Sequence, residues 1–216
     1  MNLKSVIIVL WITALAATST AQGMRMMGNP AANPPMLLTR DDVRTDLQIT
    51  DDQKSKLYDL GQSVMSRFTE AGRARYDDAS ARTKAFENIG KKITEEVNAI
   101  LTPGQQTRLK EIAIQLGGFG AASLPDIQKE LSITPEQKTK ITDLTARQQQ
   151  ATASAYEKLR NGEIQFADVQ ETTKKNQKIL NEEIGKILTQ PQKDKLKALG
   201  GKTFVPAPDP SAGGTR

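Results

Sequence analysis

The chain contains no cysteine and no histidine. The first absence removes disulfides and thiol chemistry, and the second removes the usual general base near neutral pH and the commonest transition-metal ligand. Aromatic residues make up only 4% of the 216 residues, with a single Trp. A core must therefore be thin and aliphatic, assembled from Leu, Ile, Val and Ala. Few enzyme mechanisms survive without Cys and His, and no local motif sets a Ser or Thr beside an activating Lys. The sequence is read as non-enzymatic, with no cofactor.

What the chain does have is one short signal used four times. Thr-x-x-Gln follows an aliphatic residue at Ile49-Thr50-Asp51-Asp52-Gln53, Leu101-Thr102-Pro103-Gly104-Gln105, Ile133-Thr134-Pro135-Glu136-Gln137 and Leu188-Thr189-Gln190-Pro191-Gln192. A Thr at a helix N-cap accepts from the backbone N–H three residues on, and the Gln there reaches back to the Thr N–H. Each copy is thus a helix start, and the candidate capping residues are Thr50, Gln53, Thr102, Gln105, Thr134, Gln137, Thr189 and Gln192. Pro103 and Pro135 fall at the first helical position, where their missing N–H costs nothing.

The four copies alternate in two kinds, which marks an internal duplication. Leu47 to Leu60 aligns with Leu131 to Leu144 at an offset of 84 residues, and Lys91 to Lys110 with Lys178 to Lys197 at 87. The second copy therefore holds a net insertion of three residues midway. Within each copy, apolar residues step by three and four: Leu57, Leu60, Val64, Phe68 and Ala71, then Phe86, Ile89, Ile93 and Val97. Such spacing predicts amphipathic helices. Each unit reads as a long helical hairpin flanked by short helices, over residues 39–118 and 119–200. Thr39 is the expected cap of the first short helix, and 117–123 the joint between the units.

At the N-terminus, Lys4 precedes a short apolar run from Val6 to Ala17, and Ser19-Thr20-Ala21 supplies small residues. That is the pattern of a secretory signal over 1–21, too short for a comfortable membrane span. Export to the periplasm or outside the cell follows, with no stable membrane insertion after cleavage. Losing Lys4 takes the formal charge from +5 to +4. A basic exported chain points to anionic envelope surfaces or unfolded polypeptides rather than to nucleic acid. Residues 22–38 form a flexible leader by composition, and 201–216 a disordered tail. The leader's four Met are open to Cu(I) ligation through thioether sulfurs, or are simply part of an unpacked segment.

These motifs, in this order and behind an export signal, resemble the LTXXQ-motif family of Spy/CpxP-type periplasmic proteins, over roughly residues 39 to 200. The copies at Leu101 and Leu188 match the motif fully, whereas those at Ile49 and Ile133 carry Ile for Leu. The resemblance implies an all-α fold of helical hairpins that dimerise into a thin curved cradle. Here two such units lie in one chain. The expected form is accordingly two tandem hairpin units packed as a pseudo-twofold elongated bundle or cradle, either a monomer with an internal pseudo-dimer or a homodimer. The resemblance also implies ATP-independent chaperone-like binding of unfolded envelope proteins; the alternative is a non-catalytic regulator of an envelope-stress sensor protein.

The repeated acid pairs Glu95-Glu96 and Glu182-Glu183 invite a di-metal reading, but carboxylate sites in helical bundles also use Glu-x-x-His. Adjacent helical residues face different ways. A solvated face explains them, and no metal site is expected. For client binding the candidates are Arg67, Phe68, Arg73, Arg75, Tyr76, Tyr156 and Arg160, which combine contact area with positive charge near the far ends of the arms. Phe68 and Tyr156 also suit the buried stripe, so the expectation concerns a face rather than a residue.

Overall fold

The computed structural model describes residues 34–207, the side chains of Ala79 and Thr83 excepted. The protein is all-α. In chain order the helices are α1 Pro34–Leu37, α2 Asp41–Asp46, α3 Asp51–Arg73, α4 Ala79–Ile100, α5 Pro103–Gly117, α6 Pro125–Glu130, α7 Pro135–Arg160, α8 Phe166–Ile187 and α9 Gln190–Leu199, with a 3-10 segment Gly118–Ser123 between α5 and α6. There is no strand among the described residues.

Leu47–Thr107 forms one compact unit. In it α3 and α4 pair as a hairpin whose turn occupies residues 74–78. Asp78 stops the turn and starts α4, accepting from the N–H of Ala81 at 2.7 Å. Burial is concentrated at the base, where Leu47, Ile49, Val97 and Leu101 are each at most 7% exposed. Along the arms only Ala71 is buried, and the stripe residues Leu57, Leu60, Val64, Phe68, Phe86, Ile89 and Ile93 are half-buried.

Residues 34–46 and 108–207 belong to the second unit. The compact units thus depart from the repeat boundaries at 39–118 and 119–200. The physical reason lies in α5, which continues beyond its first turn and buries Leu109, Ile112, Ala113 and Ile114. The cluster at the centre of this unit is aliphatic: Ile114, Ala121, Ala122, Ile127, Leu131, Ile141, Leu180, Ile184, Leu188 and Leu196. The stretch read as a joint is therefore a core element, because Ala121 and Ala122 are small enough to sit fully buried in a tight 3-10 turn. Gly185 on α8 lets this segment approach. A Cβ there would meet the Phe119 ring at 2.7 Å. Gly185→Ala is expected to destabilise by about 1–3 kcal/mol through overpacking, measured by chemical unfolding; a change within error would mean that the Phe119 ring moves aside freely.

Both ends of the described chain are tied into this unit. Leu37 and Leu38, inside the stretch read as a flexible leader, are each 5% exposed. The Thr39 hydroxyl donates to Met36 O at 2.8 Å instead of capping α2. The expected tail likewise starts as an ordered strap over 201–207, with residues 208–216 outside the description, as are the expected signal and the Met24, Met26 and Met27 segment. Gln115 holds the strap: its Nε2 donates to Gly200 O and Lys202 O, and its Oε1 accepts from Phe204 N at 2.8 Å. Arg108 donates to Lys202 O while gripping Asp46 through two N–H groups, at 2.6 and 3.1 Å, and Glu111 at 2.9 Å. Phe204 is 6% exposed beneath the Arg40 guanidinium, and Ala207 N donates to Asp42 at 2.9 Å.

The strap should be acid-sensitive. Burial pushes the Asp42 carboxyl up, but hydrogen bonds from Arg40, Ala207 and Val43 outweigh it and hold the group below its usual value. The Arg108 hydrogen bond does the same for Asp46, against a smaller opposing effect of burial. A depressed carboxylate pKa contributes stability above the unfolded value of about 3.9, and loses it as pH falls toward the folded value. The Ala207 amide resonance is therefore expected to shift below about pH 4; a flat titration there would show that the strap holds without these charges.

Candidate functional site

The four Thr–Gln signals do more than start helices. Each Thr backbone N–H donates to its Gln Oε1, at 3.1, 2.9, 3.1 and 2.9 Å in chain order, and each Gln N–H returns a bond to the Thr hydroxyl. The Gln side chains then pair across the base of each hairpin. In the first unit Gln53 Nε2 donates to Gln105 Oε1 at 2.7 Å and Gln105 Nε2 returns to Gln53 Oε1 at 3.0 Å. The remaining N–H groups go to Ile100 O and Leu47 O. In the second unit Gln137 and Gln192 make the same reciprocal pair at 2.9 and 3.0 Å, with Ile187 O and Leu131 O as the carbonyl partners.

Each amide therefore uses both donors and both acceptor positions. A box plus a cross-arm clamp fixes the start of the outgoing arm, the end of the returning arm and the start of the next helix together. A single Thr-x-x-Gln signals only a cap and says nothing of the cross-arm pair. The available hint was that every repeat carries two. The backbone repeats as well: Gln48 and Ser132, at the equivalent positions before the boxes, have φ of +52° and +51°. Ser132 closes α6 with bonds from its own N–H to Lys129 O and from Ile133 N to Gln128 O, the Schellman pattern.

Held at their bases, the arms present the expected binding residues in two separate groups. Arg67, Phe68, Arg73, Arg75 and Tyr76 lie in the first unit; Tyr156 and Arg160 lie in the second. Phe68 stacks on Phe86, with centroids 5.9 Å apart and planes 22° from parallel, and Arg82 lies over Phe86 at 5.8 Å. Neither ring is fully buried. Arg67 is already engaged by Glu96 at 2.7 Å. The Tyr76 hydroxyl donates to Ala71 O at 3.0 Å, which fixes the turn, while Arg73 and Arg75 are exposed. In the second unit Arg160 reaches Glu157 at 3.4 Å, and burial raises the Tyr156 phenol above its ordinary pKa.

Three of the four repeated acids have a neighbouring cation, and Glu95 is exposed. Glu96 pairs with Arg67, Glu183 with Lys186 at 2.6 Å, and Glu182 faces Lys178 at 3.9 Å. Among the described residues, no three acids come together in a way that could hold a metal ion. Among the same residues, no helix is long and apolar enough to cross a membrane. Comparison of the chain with protein-family models, curated proteins and solved structures finds no match.

Proposed function

We propose that this is an exported, non-catalytic, ATP-independent chaperone-like protein that binds unfolded or misfolded envelope polypeptides. The observation that carries the reading is the stripe of the first hairpin. Apart from buried Ala71, its apolar residues from Leu57 through Ile93 are only half-buried, and the exposed cations Arg73 and Arg75 stand at its far end. Apolar area left in contact with water and edged by charge favours weak, adaptable contact with chains that expose apolar segments of their own. The resemblance to the LTXXQ-motif proteins supports the same reading.

The test is light scattering of a chemically unfolded client with the mature chain added in stoichiometric amount and no nucleotide. Suppression of aggregation that fades with added salt is expected, because the cationic part of the contact is screened over about 8–10 Å at ordinary ionic strength. The double variant Val64→Gln with Phe68→Thr copies the second repeat's own residues, Gln148 and Thr152, and should weaken suppression while the hairpin still folds. No suppression across several clients would overturn the reading in favour of a dedicated partner-binding role.

A further inference from the structure

Each hairpin has the same kind of clamped base, and the two differ in what fills their arms. The equivalences run Val64 to Gln148, Phe68 to Thr152, Phe86 to Thr173 and Ile89 to Asn176. Apolar residues of the first hairpin thus correspond, position by position, to polar residues in the second. Thr173 is nonetheless 2% exposed, on the same stripe of α8 as buried Val169, Leu180 and Ile184. Three side-chain atoms along this stretch, Thr173 Oγ1, Asn176 Nδ2 and Gln177 Oε1, are buried without a hydrogen-bond partner; among the described side chains of the first hairpin, Ser63 Oγ is the one such atom. The Thr152 hydroxyl, by contrast, is satisfied on its own helix by Gln148 O at 3.0 Å.

A buried polar atom without a partner favours whichever state hydrates it. Three in one helical turn and a half weaken the closed arm there, while the Gln137–Gln192 clamp and the Leu180–Ile184–Leu188 cluster hold the base. We infer that the outer half of the second hairpin is a built-in opening element, in which α7 and α8 separate and rehydrate beyond Leu180 while the base stays shut. The opening admits water to Thr173, Asn176 and Gln177 and requires no ligand. It stands independently of the chaperone reading, since it concerns the closed and open states of the free chain.

Hydrogen–deuterium exchange on the full chain tests it. Peptides from residues 166–178 are expected to exchange at least roughly tenfold faster than peptides from 180–187 at the base of the same helix, because a single unsatisfied group shifts an opening equilibrium by about that factor. The shape-conserving variant Thr173→Val with Asn176→Leu should slow exchange over 166–178 and leave 79–91 unchanged. Equal exchange over 166–178 and 180–187 of the unaltered chain would overturn the inference, as would a folded double variant that exchanges as fast as the parent. Client suppression measured on the same samples keeps the two proposals apart, since either result can fail while the other stands.

Discussion

Gln137→Ala is expected to lower the stability of the second unit by about 2–4 kcal/mol, an unusual cost for truncating a half-buried side chain. The sum has two sources. Losing the return bond to the Thr134 N–H weakens the cap by about 1 kcal/mol. The larger part comes from across the hairpin, where the Gln192 amide loses a donor and an acceptor and Ile187 O loses a side-chain donor. Leaving such groups unpaired costs about 1–3 kcal/mol. Gln137→Glu separates the two contributions. A carboxylate still accepts from the Thr134 N–H, so the cap survives, but it has no N–H for Ile187 O or for Gln192 Oε1. At neutral pH this variant should be nearly as destabilised as the alanine variant, and it should recover part of the loss below about pH 4.3, where a protonated carboxyl can donate again. Urea unfolding across pH measures both effects. A loss below about 1 kcal/mol for the alanine variant would reduce the pair to an ordinary cap.

Arg108→Leu should be the second costly change, by about 2–4 kcal/mol. The guanidinium has a side-chain exposure of 15% and sits between two carboxylates, Asp46 and Glu111, while also donating to Lys202 O. Removing it leaves two like charges beside one another and unfastens the strap at the same point. The magnitude stays below that of a fully buried pair because water still reaches the group. Arg108→Lys keeps the charge but cannot offer the planar fork that grips Asp46 through two N–H groups, so it should restore only part of the loss. Thermal unfolding of the full chain compares the three. Equal stability of the lysine variant and the parent would show that charge alone matters here.

What the sequence made legible was whatever is local. The helix starts follow from Thr and Gln three residues apart, and the buried stripes from apolar spacing. Periodicity alone does not choose between the neighbours Ile179 and Leu180 on α8; the structure buries Leu180 and exposes 46% of Ile179. What stayed hidden depends on partners distant in the chain. Gln53 meets Gln105 across 52 residues, and Gln115 meets Phe204 across 89. Nothing near Gln115 or Arg108 marks them as anchors, and Gly118–Ser123 reads like a linker because the small residues that suit a turn also suit a crowded core. The binding face was legible only in part. Periodicity places Phe68 on the inner stripe, but its stacking on Phe86 and the engagement of Arg67 by Glu96 leave Arg73 and Arg75, of the expected binding arginines in that unit, as the exposed ones.

The three inserted residues have a definite address. Ala71 and Ala155 are both buried at the offset of 84, while α7 has 26 residues to the 23 of α3, and α4 and α8 have 22 each. The addition thus falls beyond Ala155, at the outer end of the outgoing arm. Three residues lengthen a helix by about 4.5 Å and turn it by about 300°, which is 60° short of a full revolution. The end of the second arm consequently emerges at a different azimuth from that of the first, while the base keeps its register. A hairpin whose register is written entirely in its first turns leaves the length and heading of its far end free to change in small steps, so two copies of one unit can diverge in reach without either having to be refolded.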